Sequence, residues 1–253
     1  MKPLNMVRTF IEVRLSQATH RNIIDFLARK KPLFEKGNWI VRWVHPDNVH
    51  ITLRFIGDMD APLVSMVKER LQRLSQINAF GITVKGLGAF PSFGSPRVIW
   101  VGIEDEKERL GNLAARINDE LGGLGFKSET RKFRPHVTIG RVARRGSVPL
   151  VDLIGDCSEE PFGEDEVKEC IFMKSVLTTE RAVHTPLFSV AFIRRRSEPR
   201  REERREKPRE EPEEEPVEER LEERVEETRE EPAEEPVEER VQEPGEGGPE
   251  STK

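Results

Sequence analysis

The pattern of apolar and polar positions predicts a strand and then a helix at the start of the chain. Residues 7–15 alternate between the two kinds, which is typical of a strand with one buried face. Ser16 is suited to cap a helix, whose apolar positions recur at helical spacing as far as the Lys30-Lys31-Pro32 segment. We expect this helix to end near Lys30, because proline interrupts helical hydrogen bonding.

A similar order of elements is predicted again further along. Runs at 39–44 and 49–56, joined by a polar turn, predict a β-hairpin, and Pro62 is suited to the first turn of a helix. Another amphipathic helix is predicted over about residues 106–124. The other runs of strand character are 79–87, 97–103, 135–142, 170–178 and 187–194. We expect a bilobal α+β fold with two pseudo-symmetric lobes, each a mainly antiparallel sheet backed by helices, and an active-site cleft between them.

The end of the chain differs in composition from the rest. Residues 194–253 carry 14 basic and 24 acidic side chains, eight prolines and no aromatic residue. Such a segment cannot bury a core, so we expect a disordered charged tail there and a folded domain over residues 1–193. Because the whole chain has 42 basic and 47 acidic residues, the folded part keeps 28 and 23, a net charge of +5.

Signals for export or membrane insertion are lacking. Charged residues interrupt the N-terminal apolar stretch, and no run approaches the roughly 18 apolar residues of a membrane helix. The two cysteines, Cys157 and Cys170, have neither a CxxC spacing nor a histidine cluster that would indicate zinc. We therefore expect a cytoplasmic protein with reduced thiols and no membrane partner.

Two of the five histidines lie in the same local pattern. His50 with Thr52, and His136 with Thr138, form two His-x-Thr motifs in predicted strands. Because side chains at i and i+2 of a strand point the same way, each motif places an imidazole beside a hydroxyl. Two similar lobes would bring the motifs together across the cleft. The alternative is that both histidines are ordinary hydrogen-bonded residues of a sheet.

Two imidazoles and two hydroxyls around one point suit the cleavage of a phosphodiester without a metal. That reaction needs a base for the attacking group and an acid for the leaving oxygen, and imidazole serves either role near neutral pH. Hydroxyls and arginines would hold the non-bridging oxygens. No carboxylate cluster accompanies either histidine in the sequence, so we expect neither a metal nor a cofactor.

The residues around the motifs resemble a known family. This family is the two-histidine phosphoesterases, and specifically the LigT-like RNA 2′,3′-cyclic phosphodiesterases first named 2′-5′ RNA ligases. The segments that carry the resemblance are HITLRFIG at 50–57, GAFP at 88–91, PRVIWVG at 96–102, PHVTIGR at 135–141 and MKSVL at 173–177. The likeness extends over roughly residues 5–193 and does not include the tail.

The resemblance implies an activity and a role for each motif residue. The family hydrolyses a 2′,3′-cyclic phosphate to a 2′-phosphate, and the reverse reaction is a 2′-5′ ligation. Carried over to this chain, His50 would donate a proton to the leaving 3′ oxygen and His136 would accept one from water. Thr52 and Thr138 would bind the phosphate. The expected partner is RNA with a 2′,3′-cyclic phosphate end, tRNA fragments being one possibility, and we expect a monomer.

Three arginines are further candidates for phosphate contacts. Arg54 at i+4 from His50 and Arg134 at i−2 from His136 should share the face of their histidine. Arg141 at i+5 should not, unless the strand bends at Gly140, but the family resemblance favours it.

Several other residues have less specific signals. A basic run could follow an RNA backbone or be an ordinary solvated loop, and it consists of Arg131, Lys132, Arg134, Arg141, Arg144 and Arg145. We expect surface or structural roles for His20, His45 and His184, which lack a threonine partner. Phe90 and Trp100 are expected in the core.

Other functions stay open at this point. Phosphodiesterases on 2′-5′-linked oligonucleotides or on small cyclic nucleotides would use the same phosphate contacts. A different class is an RNA- or nucleotide-binding module that does no chemistry, although intact acid, base and hydroxyl candidates argue against it. The acidic tail could compete with RNA for the basic residues or could be a passive, solubilising extension.

Overall fold

A computed structural model of the chain describes residues 5–154, 157 and 159–194. The strands in these residues are β1 (Met6–Val13), β2 (Ile40–Trp43), β3 (Ile51–Asp60), β4 (Phe80–Phe90), β5 (Val98–Glu104), β6 (His136–Arg144), β7 (Pro161–Val167), β8 (Glu169–Leu177) and β9 (Ala182–Ala191). The α-helices are α1 (Gln17–Lys36), α2 (Leu63–Leu71), α3 (Arg109–Gly122) and α4 (Leu150–Ile154). Short 3₁₀ turns cover Pro46–Asn48 and Gln72–Gln76.

The nine strands of the described residues form one antiparallel sheet. Their order is β7-β4-β5-β6-β3-β1-β8-β9, and β2 also pairs with β6. One half of the sheet contains β7, β4, β5, β6 and β2, and the other contains β3, β1, β8 and β9. The strands β3 and β6 connect the halves through the pair Ile51–Val137. The α+β fold class with two lobes is therefore confirmed, and the lobes share a sheet.

The hydrophobic core lies between one face of the sheet and the helices. Ile11, Ile51 and Val137 of the sheet are fully buried in the same cluster as Ile23 of α1 and Leu110 of α3. The opposite face of the sheet has a smaller apolar cluster, which consists of Phe10, Ile171 and Met173. This second face is the one that bears the candidate active site.

The start of α1 is anchored to the far half of the sheet. The Ser16 hydroxyl accepts a hydrogen bond from Thr19 N at 3.2 Å, which confirms the predicted cap. Asp165 of β7 accepts from Ser16 N at 2.9 Å and from Thr19 Oγ1 at 3.0 Å. Gly163 allows this contact, because a Cβ at its position would lie 2.5 Å from Thr19 Oγ1. The helix that follows β1 is therefore fixed to a strand about 150 residues later in the chain.

The predicted end of α1 near Lys30 is wrong. The helix continues through Pro32 to Lys36. Phe34 accounts for the extension, because it is buried in edge-to-face contact with Trp39 and Trp43. Burial of one phenylalanine is worth about 2–3 kcal/mol, which is close to the cost of about 3 kcal/mol for a proline inside a helix.

The predicted hairpin of 39–44 and 49–56 is also wrong. The strands β2 and β3 lie one after the other along the same edge of β6, so they cannot pair with each other. The 3₁₀ turn Pro46–Asn48 connects them, and β3 pairs with β1 instead. Strand β7 was not predicted, because its sequence is acidic and its buried apolar residues, Phe162 and Val167, are five apart and do not alternate regularly.

Two further predictions concern the chain as a whole. None of the helices in the described residues has the length and apolar character needed to cross a bilayer. The predicted disordered tail lies outside the described residues from residue 195 onward and stays a prediction.

Candidate active site

The two His-x-Thr motifs lie on neighbouring strands. Their central residues, Ile51 and Val137, are paired in antiparallel register and fully buried. Extending the register by one residue in each direction sets His50 across from Thr138 and Thr52 across from His136. All four polar side chains are half-buried, on the face opposite the core. The structure therefore brings together the four residues that the sequence singled out.

His50 is packed closely in its half of the site. Its Nε2 lies 3.0 Å from Thr52 Oγ1, and its ring stacks on Phe10 with a centroid distance of 5.1 Å. Only 13% of the side chain is exposed. Burial lowers the pKa of His50 to about 4, and the nearby His184 acts in the same direction. His50 is therefore neutral near pH 7 in the unliganded protein.

Glu12 is a site residue that the sequence reasoning missed. It lies on β1 directly opposite Thr52, and its Oε2 is 3.5 Å from His50 Nδ1. Its other oxygen, Oε1, accepts a hydrogen bond from Arg14 Nε at 3.1 Å. Burial raises the pKa of Glu12, whereas Arg14 lowers it. The signal was present in the sequence as a charged residue inside the otherwise apolar segment Phe-Ile-Glu-Val.

His184 completes a cluster around His50. Its ring centroid lies 5.6 Å from that of His50 and 4.7 Å from that of Phe10. His184 Nδ1 is buried and has no hydrogen-bond partner among the described residues. The prediction of a merely surface or structural histidine therefore missed its place beside His50. With Glu12, this cluster also corrects the expectation that no carboxylate accompanies either motif histidine.

His136 has a different set of neighbours. Its Nδ1 lies 2.7 Å from the Arg134 carbonyl oxygen. Phe90 and Trp100 are half-buried against its ring, with centroid distances of 5.1 and 6.3 Å, so they border the site rather than lying in the core as expected. Burial lowers the pKa of His136, the Arg134 carbonyl raises it, and the Arg141 charge lowers it further.

An irregularity in β6 turns Arg141 toward the site. Trp100 of β5 pairs with Thr138, and Val98 pairs with Arg141. Because Val98 and Trp100 are two residues apart on one strand, their partners Thr138 and Arg141 share a face although they are three apart. The sequence reasoning required a bend near Gly140 for this to happen, and the register shift supplies it.

The corresponding irregularity in β3 turns Arg54 away. Thr52 pairs with Glu12, whereas Arg54 pairs with Ile11, the next residue of β1. Adjacent residues of a strand face opposite sides, so Arg54 does not share the face of Thr52, and that expectation is wrong. The Arg54 guanidinium is 8% exposed and donates a hydrogen bond to the Lys127 carbonyl. Its contacts are therefore structural.

Arg134 and the basic run lie at the surface. The Arg134 side chain is exposed and borders a cavity beside α3, while its backbone carbonyl is the group that meets His136. The other members of the run are also exposed, and these are Arg131, Lys132, Arg141, Arg144 and Arg145. A phosphate contact by the Arg134 side chain stays a prediction.

Two His-x-Thr motifs paired at the centre of one sheet are the arrangement that the resemblance to phosphoesterases led us to expect. The model of the LigT-like phosphoesterases matches residues 35–100 and 101–183. The chain belongs to this family.

Similar proteins support the assignment over nearly the whole folded region. The RNA 2′,3′-cyclic phosphodiesterase of Archaeoglobus fulgidus is 33% identical over 183 residues, covering 72% of this chain and 98% of that protein. The protein of the same name from Aquifex aeolicus is 38% identical over 186 residues, covering 72% of this chain and 95% of its own.

Solved structures share the fold. TT0787 of Thermus thermophilus superposes with a TM-score of 0.61 at 22% identity, over 73% of this chain and 97% of that one. Escherichia coli LigT, in its complex with 3′-AMP, gives a TM-score of 0.60 at 24% identity, over 74% of this chain and 98% of that one.

Proposed function

We propose that the protein hydrolyses the 2′,3′-cyclic phosphate at the end of an RNA to a 2′-phosphate, using only side chains of the chain itself. The observation that carries the proposal is the Ile51–Val137 pair, because it brings the two His-x-Thr motifs together. The names of relatives that match almost end to end support the same substrate. Water attacks phosphorus, the bond to the ribose 3′ oxygen breaks, and one proton moves at each end of this in-line displacement.

The neighbours of the two histidines favour different roles. Burial lowers the pKa of His136, and the Arg141 charge acts in the same direction, which favours a neutral imidazole that can accept the proton of the attacking water. Glu12 lies beside His50 Nδ1, where a carboxylate stabilises an imidazolium. His50 is then the proton donor to the 3′ oxygen, and His136 is the proton acceptor.

Protonation of His50 has to accompany substrate binding. With a pKa of about 4, only about one molecule in a thousand carries the imidazolium at pH 7. The cyclic phosphate carries a negative charge, and its arrival between the motifs raises the pKa of both histidines. Both histidines have a cationic neighbour, Arg14 near His50 and Arg141 near His136, but His50 also has the Glu12 carboxylate 3.5 Å away, so His50 takes up the proton.

In this proposal three side chains hold the phosphate. Thr52 and Thr138 supply hydroxyls from the paired motifs, and Arg141 supplies a positive charge on the same face. These groups neutralise the non-bridging oxygens as negative charge develops in the transition state. Arg54 is excluded from this set by its contact with Lys127.

The direct test uses an RNA that ends in a 2′,3′-cyclic phosphate, incubated with the protein in EDTA. We expect a 2′-phosphate product, and a 3′-phosphate would mean that the other oxygen leaves. His50→Ala and His136→Ala should each lower the rate about 10²–10⁴-fold, and the double variant should lose much less than the product of the two. His20→Ala, outside the site, is the matched control. Full activity of either single variant, or complete loss in EDTA, contradicts the proposal.

The finer substrate and setting are part of the same proposal. RNA ends, including those of tRNA fragments, should be better substrates than 2′-5′-linked oligonucleotides or small cyclic nucleotides, because exposed basic side chains lie on both sides of His136 in the sequence. We propose a cytoplasmic monomer, and two buried cysteines fit a reducing compartment. Incubating a 2′-phosphate RNA with an RNA bearing a 5′-hydroxyl end tests for the reverse ligation.

A further inference from the structure

The cluster around His50 contains more coordinating groups than the proposed reaction uses. Glu12 lies in β1, His50 directly before β3 and His184 in β9, yet each offers a ligand atom within 4.8 Å of the others. Cleavage by two histidines needs neither Glu12 nor His184 in contact with the substrate. The other half of the site has no such cluster among the described residues, because Trp100 occupies the position on β5 that corresponds to Glu12 on β1.

The groups of this cluster are suited to a transition metal. Two imidazoles and one carboxylate are a frequent protein ligand set for Zn²⁺, with metal–ligand distances of about 2.0–2.2 Å. Ligand atoms of a tetrahedral site therefore lie about 3.3–3.5 Å apart. His50 Nδ1 and Glu12 Oε2 are already 3.5 Å apart, and the remaining atoms have to close by little more than about 1 Å.

Glu12 and His184 each have a ligand atom available, whereas the His50 ring makes a hydrogen bond with the Asn48 backbone, which a metal ion at the same nitrogen would replace. The side chain of Glu12 is only 4% exposed, and although Arg14 bonds its Oε1, the Oε2 atom points at His50. His184 Nδ1 is buried without a hydrogen-bond partner in the described part of the chain, which is costly for a polar atom. A bound cation would add a partner to Glu12 Oε2 and to the His184 ring.

We propose that Glu12, His50 and His184 form a binding site for a transition-metal ion such as Zn²⁺, and that the occupied site inhibits the enzyme. The metal takes the lone pair of the His50 ring that the second proton would occupy, so the ring cannot become an imidazolium, and its remaining N–H is a much weaker acid than the imidazolium that the reaction needs. Binding is independent of any activity, whereas the inhibition rests on the proposed role of His50 as proton donor. Removal of the metal by a chelator restores the donor.

Metal binding is measured first, on the full-length protein without substrate. Co²⁺ is the probe, because its visible absorption intensifies and shifts in a four- or five-coordinate site, and Zn²⁺ should displace it with a stoichiometry of one per chain. His184→Phe keeps a ring against Phe10 but removes both nitrogens, and we expect it to weaken binding at least about tenfold. Glu12→Gln is a second variant with the same expected direction. His136→Asn should bind as the wild type does.

Inhibition is measured next, on hydrolysis of an RNA with a cyclic phosphate end. Zn²⁺ should inhibit the wild type, and EDTA should reverse the inhibition. His184→Phe should be active and should need at least about tenfold more Zn²⁺ for half-inhibition. Equal Co²⁺ spectra and affinities for wild type, His184→Phe and Glu12→Gln would overturn the site. Stoichiometric binding that leaves the rate unchanged or raises it would overturn the inhibitory role. An inactive protein that still binds Co²⁺ through this cluster would refute the proposed function alone.

Discussion

Burial of His50 should make the stability of the protein depend on pH, and His50→Gln should remove that dependence. The folded state lowers the pKa of His50 from 6.5 to about 4, so between these values the unfolded chain binds a proton that the folded chain does not. Stability contributed in this way is fully present above about pH 6.5 and is lost as the pH falls toward 4. Glutamine cannot titrate and keeps an amide close to Thr52 Oγ1.

The size of the effect follows from the shift. A difference of about 2.5 pKa units corresponds to a total of about 3.4 kcal/mol, at 1.36 kcal/mol per unit. Between pH 7 and pH 5 the histidine should account for about 2 kcal/mol of lost unfolding free energy. Glu12 acts in the opposite sense over a neighbouring range. Because burial raises its pKa above 4.5, its contribution is present at low pH and is lost as the pH rises through the folded value.

The assay is urea unfolding of wild type and His50→Gln at several values between pH 7.5 and pH 4.5. Taking the difference between the two proteins cancels the contributions of other groups, provided that the slope with urea is unchanged. The difference should move in favour of the variant by about 2 kcal/mol between pH 7 and pH 5. His20→Gln controls for the loss of an imidazole as such. Parallel pH profiles for wild type and His50→Gln would refute the reasoning.

Other predictions follow from particular contacts. Arg141→Gln should lower kcat/KM about 10²-fold with little change in thermal stability. Arg54→Gln should instead cost about 1–3 kcal/mol of stability, because the Lys127 carbonyl is left without its donor. The opposite pattern would contradict the two register shifts. Gly88→Ala should destabilise the protein by about 1–3 kcal/mol in thermal unfolding and also reduce activity, because the added Cβ would lie 2.0 Å from the Trp100 ring. A variant as stable as the wild type would contradict this prediction. If the acidic tail competes with RNA, deleting residues 198–253 should lower the apparent KM for a long RNA at low salt only. Equal KM values for the full-length and the truncated protein at low salt would mean that the tail is a passive extension.

The sequence predicted most of what depends on local pattern. The strand character around His50 and His136 follows from alternation within a few residues, and so does the capping of α1 by Ser16. The pairing of strands does not follow from such patterns, which is why β2 and β3 were expected to form a hairpin. A pairing register depends on contacts between distant segments, and a short strand can satisfy its hydrogen bonds on more than one neighbour.

The arginines illustrate the same limit within the site. A strand without irregularities puts Arg54 beside Thr52 and turns Arg141 away, and one extra residue in each strand reverses both results. Glu12 and His184 reach His50 from strands that pairing alone brings there. No spacing rule connects Glu12 or His184 to the motifs. Glu12 alone had a signal in the sequence, because it is a charged residue in an apolar strand.

The anchoring of α1 to Asp165 sets the order in which the protein can be completed during synthesis. A ribosome adds about 5–20 residues per second, so the partner of Ser16 N emerges roughly seven to thirty seconds after Ser16 itself. Until then α1 has no β7 to pack on. Strand β1 also still lacks its neighbour β8, because the half of the sheet that contains β1 and β3 is completed by the late strands β8 and β9. The first half of the nascent chain thus cannot complete its part of the sheet until the late strands are made. A ribosome that pauses before residue 165 holds an incomplete sheet with open edges.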